Sequence, residues 1–382
     1  MTVLAFVHIR MELPEEGMEK RIDSIQGLRG FLAFLFAYIF HYELLFSAMP
    51  VQGTFLQSLF EVLGRMTLYA SDIFFILSGY LTCQGYERRI EGQCISLKEY
   101  MIPKIKRIYP YVIVTALWNF ILETAGYYLT GQYPLHADGG KWRYSLPALV
   151  LNIVGMQSGW ISEGDSLAVN GPSWFISVLF LCYIIHFFQA RYIRKEKIRI
   201  GIYWVMAVLG LFLIIYPQSI PFLFQVSGRG YMGFFVGILM HYYLEHISET
   251  KRNRGVIPAA LILAAAVALC ATGAIHFMLP EVCLIFPLTV YLAIYGRIGR
   301  WILNRRALQW LGEISLSLYL CNIPTDTLIA FLDQTLGWKL DYSSMWVWLG
   351  HIVFSLWIAW GFNQLIAKIM KIIYKKHIRY NI

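Results

Sequence analysis

The sequence is short of charge. Asp, Glu, Lys and Arg make up 14% of its 382 residues, whereas a soluble domain carries about 25% to cover its surface. Paired cysteines are also lacking. The six present, at 83, 94, 182, 270, 283 and 321, show no C-x-x-C or other paired spacing. They exclude a disulfide framework or a cysteine-rich metal centre, and read as small apolar residues; no metal is expected. There is no internal repeat and no low-complexity segment. Residues 1–27 have no long apolar run of the kind a cleavable signal peptide needs, and Met18, just ahead of Lys20-Arg21, offers an alternative start. The net charge of +9 lacks the basic face of a soluble module, so nucleic acid is not an expected partner.

What the chain has in bulk is apolar residues: 58% of the total, with a mean hydropathy of +0.55. They come in blocks near 20 residues, the length that spans a bilayer core. The blocks predict an all-α polytopic membrane protein of about ten transmembrane helices, near 28–48, 66–84, 108–129, 173–190, 199–217, 224–243, 256–275, 279–296, 307–331 and 345–369. Of the 32 Lys and Arg residues, 26 fall in alternate connections and 4 in the others, with Arg29 and Arg229 inside spans. The positive-inside rule puts the 26, and both termini, in the cytoplasm, where they also meet anionic lipid. A multi-pass protein of the cell membrane is expected. Its parts are an N-terminal segment (1–20), a transmembrane domain (21–371) and a basic tail (372–382). The longest non-cytoplasmic connection, about 130–172, reads as a lid or re-entrant piece over an outward-facing site.

Ionisable groups at mid-bilayer cost about 2.5–3.5 kcal/mol even on lenient scales, so each marks a candidate site. The first span carries Arg29 at its cytoplasmic end and His41 deep inside, about 18 Å further along a helix axis. The second opens Ser71-Asp72-Ile73-Phe74-Phe75-Ile76-Leu77-Ser78-Gly79-Tyr80. Asp72 should share the outer-half level of His41, and a carboxylate on one ring nitrogen raises basicity at the other, as a general base requires. Ser78-Gly79 reads as a close-packing step between helices. A basic stretch follows, with Lys104 and Arg107 three residues apart on one helix face. Such a pair suits a polyphosphate such as the nucleotide end of coenzyme A. Glu123, His186, Arg229, Glu313, Asn322 and Asp326 are further intramembrane candidates; Arg229, in Ser227-Gly228-Arg229-Gly230, has small neighbours that leave room around it.

These pieces together resemble the acyltransferase-3 family of integral-membrane O-acyltransferases, from about Arg21 to Lys371. They are Asp23-Ser24-Ile25-Gln26-Gly27-Leu28-Arg29-Gly30 with His41, the Asp72–Tyr80 run, Lys104-Ile105-Lys106-Arg107-Ile108-Tyr109-Pro110, Pro172-Ser173-Trp174-Phe175, and Gly312-Glu313-Ile314-Ser315-Leu316-Ser317-Leu318-Tyr319-Leu320. The resemblance implies a cytoplasmic acyl-CoA donor, often acetyl-CoA, and transfer to a hydroxyl on a cell-surface glycan, lipid-linked sugar or small molecule. It implies His41 as the catalytic histidine, Arg29 as an essential first-helix arginine, and Lys104 with Arg107 as the donor-binding pair. On this reading Asp72 orients His41, and Arg229 joins the donor-binding cations. The competing class is a transporter or glycan flippase, which inverted repeats and Gly/Pro-broken helices in matching halves would signal.

Three positions depart from the family pattern. Eleven residues, Gly30 to Phe40, separate Arg29 from His41 where the family has ten. On a regular helix this turns His41 by about 100°, and a one-residue π-bulge would restore its facing. Lys104 stands where the pair's first member is arginine. Asn322 stands where the family has a late histidine.

Overall fold

The computed structural model describes residues 22–46, 55–67, 70–135, 140–163, 168–276 and 278–380; residues 1–20, expected as a separate segment, lie outside them. Every regular element among them is helical. α1 (Asp23–Leu35) continues through a π-helical turn (Phe36–Phe40) into a 3-10 turn (His41–Leu44). α2 (Phe55–Thr67), α3 (Ala70–Glu91) and the long α4 (Leu97–Thr130) follow. Next come two short helices, α5 (Gly140–Arg143) and α6 (Leu146–Val154), then α7 (Ser173–Tyr192), α8 (Glu196–Ile215), α9 (Gln225–His246) and α10 (Glu249–Ala271). α11 (Met278–Pro280), a second π segment (Glu281–Ile285) and α12 (Phe286–Tyr295) are contiguous. Short α13 (Arg297–Leu303) and α14 (Arg306–Glu313) precede α15 (Ser315–Leu336) and α16 (Met345–Tyr380). α16 runs unbroken through the boundary expected at 371–372.

Seven of the described helices are long and apolar enough to cross a membrane, or up to eight if the bent pair α2–α3 counts as one span. The other two expected spans are helical as well. The first is divided among α, π and 3-10 turns, and α9 carries Arg229 and several glycines among its apolar residues. α7 and α15 are the most deeply buried spans and α10 the least. Lipid-ready side chains ring the outside: Trp204, Val205 and Val208 on α8, Ile257 and Leu261 on α10, and Val353 and Trp357 on α16 are exposed. Apolar surface in this continuity has hydrocarbon as its natural solvent.

Close backbone approach sets the central packing. A Cβ on Gly79 of α3 would meet the Phe234 carbonyl of α9, and one on Gly237 would meet the Ile76 carbonyl. The step expected at Ser78-Gly79 is therefore such a contact, of the small-residue kind membrane helices use. Matching pairs along α3 and α9 (Asp72 with Arg229, Arg88 with Glu245) show that the two run parallel. Arg199 at the start of α8 reaches Glu91 at the end of α3, and the Tyr291 hydroxyl of α12 donates to the Arg252 carbonyl of α10. The basic connections after α3, α7, α9 and α12 thus gather at one end.

One missing helix hydrogen bond and one tied-down connection shape the middle. Pro324 in α15 has no N–H for the Leu320 carbonyl, and the Asn170 amide, arriving from the 155–172 connection, donates to that carbonyl at 2.8 Å. The same connection is tied to α4 through Asn119 Nδ2 to the Val169 carbonyl, and the end of α6 ahead of it through the Tyr109 hydroxyl to the Val154 carbonyl. The segment expected as a lid is therefore bonded into the bundle among its described residues.

Candidate active site

His41 follows the π-helical turn directly. Its own N–H reaches back five residues, to the Phe36 carbonyl, so the extra residue between Arg29 and His41 is absorbed as a wide turn. The turn is of the π kind that the spacing pointed to, and such turns concentrate at functional sites. The half-buried His41 ring packs edge-on against Phe36 at 4.3 Å. Its Nδ1 lies 2.6 Å from Oδ1 of Asn322 on α15, and Asn322 Nδ2 donates to the Ala37 carbonyl at 3.2 Å.

Asp72 is not the partner of His41. It is fully buried, and both its oxygens are taken by Arg229: Nε lies 2.9 Å from Oδ1 and 3.2 Å from Oδ2, and Nη2 lies 2.8 Å from Oδ1. Arg229 also donates to the Ser71 hydroxyl at 3.0 Å and lies 4.6 Å over the Trp174 ring. The physical reason is the parallel α3–α9 crossing, which places Arg229 against the first turn of α3, where a guanidinium can engage both carboxylate oxygens. His41 and Asp72 nevertheless occupy one layer. Tyr319, three residues before Asn322 on α15, packs on Phe36 at 4.8 Å and on Phe74 at 6.0 Å. Its hydroxyl is buried without a hydrogen-bond partner among the described residues. Glu281, in the second π segment, is buried, with neither oxygen hydrogen-bonded among the described residues, and within electrostatic reach of Asp72 and Arg229.

The expected donor-binding cations do not form one patch. Lys104 is buried, its ammonium 3.6 Å from the centre of the Tyr86 ring, 3.8 Å from Tyr100 and 5.0 Å from Tyr183. It also donates to the Tyr100 carbonyl at 3.3 Å. Arg107 is exposed and Arg29 half-buried. Arg229 belongs to the Asp72 layer. Tyr86 is fourteen residues beyond Asp72 on α3, about 21 Å along the axis, so Arg229 is remote from the Lys104 cage. Facing aromatic rings, each with a negative face, hold the Lys104 charge that a solvated lysine would present to phosphate.

Beneath that cage is a network of which the sequence reading named only His186. Glu87 accepts from Arg199 Nε at 2.8 Å, from the Tyr242 hydroxyl at 2.8 Å and from the Tyr203 hydroxyl at 3.0 Å. His186 Nε2 lies 2.6 Å from its other oxygen, and His186 Nδ1 lies 3.2 Å from the Tyr100 hydroxyl. Arg199, counted from sequence as a loop cation, is 1% exposed. A second pair joins His351 Nε2 to Asp326 at 2.6 Å; Asp326 was a sequence candidate, and its partner, a lone histidine in the last span, was missed. Of the other candidates, Glu123 accepts from the Tyr144 hydroxyl at 3.0 Å, whereas Glu313 is exposed. No cluster able to hold a metal ion occurs among the described residues.

A family model described as an acyltransferase domain matches residues 22–364. The chain belongs to the acyltransferase-3 family. The match runs from α1 into α16, and includes the α1 turn that ends at His41, the α3–α9 crossing with Asp72 and Arg229, and the Tyr319–Asn322 face of α15. No curated protein and no solved structure matches the chain. Within this acyltransferase-3 chain, the layer brings together an imidazole, a buried ion pair and an unsatisfied tyrosine hydroxyl, surrounded by Phe36, Phe74, Phe175 and Trp174.

Proposed function

We propose that the protein is a ten-span O-acyltransferase of the cell membrane, with both termini in the cytoplasm, that moves an acyl group, acetyl foremost, from cytoplasmic acyl-CoA to a hydroxylated acceptor. The expected acceptor is a cell-surface glycan or lipid-linked sugar. The observation that carries this reading is the π-turn that delivers His41 into a polar layer inside the bundle of an acyltransferase-family chain.

In this mechanism His41 is the general base. It takes the proton of the acceptor hydroxyl as the oxygen bonds to the thioester carbonyl carbon. The tetrahedral intermediate then breaks its C–S bond, and the proton passes to the departing thiolate of coenzyme A. Negative charge on the carbonyl oxygen needs a preorganised cation or donor. Arg229, held by Asp72 and Ser71, supplies that charge on this reading, and the Tyr319 hydroxyl a donor. The donor's phosphates stay at the basic end of the bundle, with exposed Arg107 and half-buried Arg29 to meet them, and Lys104 a caged point charge that supports the tyrosine cluster around it.

The test is acyl transfer in membranes with radiolabelled acetyl-CoA, with mass spectrometry of surface glycans and lipids from cells with and without the protein. An acetyl group lost from a glycan or lipid in its absence, and restored by the wild type but not by His41→Gln, is the expected result. An unchanged acyl inventory together with substrate movement across the bilayer would favour a transporter instead.

A further inference from the structure

We propose that Asn322 is a positioning residue that sets the tautomer of His41, holding the proton on Nδ1 and the lone pair on Nε2. This rests on the reading of His41 as the base. It starts from the backbone. In an α-helix the His41 N–H would bond the Ala37 carbonyl; here it bonds Phe36 instead, and the Ala37 carbonyl accepts from Asn322 Nδ2. A carbonyl can only accept, so the amide nitrogen must face Ala37 and Oδ1 must face the ring. An amide oxygen at 2.6 Å from Nδ1 requires a proton on that nitrogen. The neutral ring then carries its lone pair on Nε2.

The π-turn therefore does two things with one inserted residue. It turns His41 into the layer, and it releases the carbonyl that orients the amide that orients the imidazole. Asn322 is 1% exposed and on the most buried class of helix, so water does not compete for these bonds. Its position three residues after Tyr319 places both on one face of α15. A residue that departs from the family pattern thereby acquires a role, as a neutral acceptor for Nδ1–H and a donor to the backbone.

Histidine 15N spectra of the wild-type protein in lipid, with the His41 signal assigned by its loss in His41→Gln, read the tautomer without any change at 322. A protonated Nδ1 is expected; a protonated Nε2 with a bare Nδ1 overturns the inference. In acyl transfer, Asn322→Leu should lower kcat by about 100-fold, within the range a positioned base supplies. Both KM values should stay within about twofold, and thermal unfolding should remain cooperative. Asn322→Asp, which keeps an oxygen toward Nδ1, should recover most of the lost kcat. If Asn322→Leu turns over at the wild-type kcat while His41→Gln is inactive, Asn322 has no positioning role and His41 keeps its own. If His41→Gln is itself active, the base assignment fails, and the inference with it.

Discussion

Removing either member of the Asp72–Arg229 pair should cost unequally, and the inequality follows from burial. The Asp72 side chain is 0% exposed and that of Arg229 16%. Arg229→Gln strands an enclosed carboxylate with a neutral Ser71 hydroxyl beside it and no cation to balance it among the described residues, so its cost belongs at the upper end for a broken buried pair, about 5 kcal/mol. Asp72→Asn strands a guanidinium that still reaches solvent at one edge and lies on the Trp174 face, so about 3 kcal/mol is expected. With both changed no charge remains, and the double variant should lose about 3 kcal/mol less than the sum of the singles. The assay is reversible unfolding in mixed micelles followed by fluorescence, for which 12 tryptophans are available. A second cycle pairs Asp72→Asn with His41→Gln and should be additive to within about 0.5 kcal/mol, since the two side chains share no bond. Additivity in the first cycle with coupling in the second would refute the pairing described here and restore an Asp72–His41 dyad.

Three further outcomes follow. Gly79→Leu or Gly237→Val should abolish folded protein or cost more than the ~1–3 kcal/mol of ordinary overpacking, because the added atoms meet backbone carbonyls; Gly361→Ala, with nothing within 4 Å, should be tolerated, as judged by monodisperse yield in detergent. Glu87→Gln should destabilise by about 3–5 kcal/mol, since Arg199 loses its buried counter-charge, and the loss should show as a lower unfolding temperature. Arg107→Ala should raise KM for acyl-CoA several-fold with kcat and stability unchanged, whereas Lys104→Ala should lower the unfolding temperature, because it empties a cage of tyrosines; equal unfolding temperatures would remove the cage from the account.

Depth in the bilayer was legible in the sequence, and direction around each helix was not. Counting residues from the span ends put His41 and Asp72 in one layer, and both do flank the Tyr319 region. Which side chain each faces depends on helix azimuth and on neighbours far away in the chain: Asn322 is 281 residues from His41 and Arg229 is 157 from Asp72. The spacing anomaly was the exception. Eleven residues cannot keep two faces aligned on a regular helix, so the count itself implied the π-turn. The same polar residues weakened the apolar signal of the spans that carry them, Asp23–Leu44 and α9. Arg199 misled for a related reason. It sits where an apolar block begins, and only the packing of α8 against α9, itself beside α3, turns it inward to Glu87. Pro324 leaves one carbonyl of the continuous α15 without its helical partner, and nothing in the sequence showed that Asn170 would arrive to satisfy it.

The most direct test is the transfer rate of His41→Gln, purified, shown to unfold at the wild-type temperature, and supplied with saturating acetyl-CoA in lipid. A fall of at least about 100-fold is predicted, the range a positioned general base contributes. Transfer at the wild-type rate by that variant would contradict the assignment of His41 as the base.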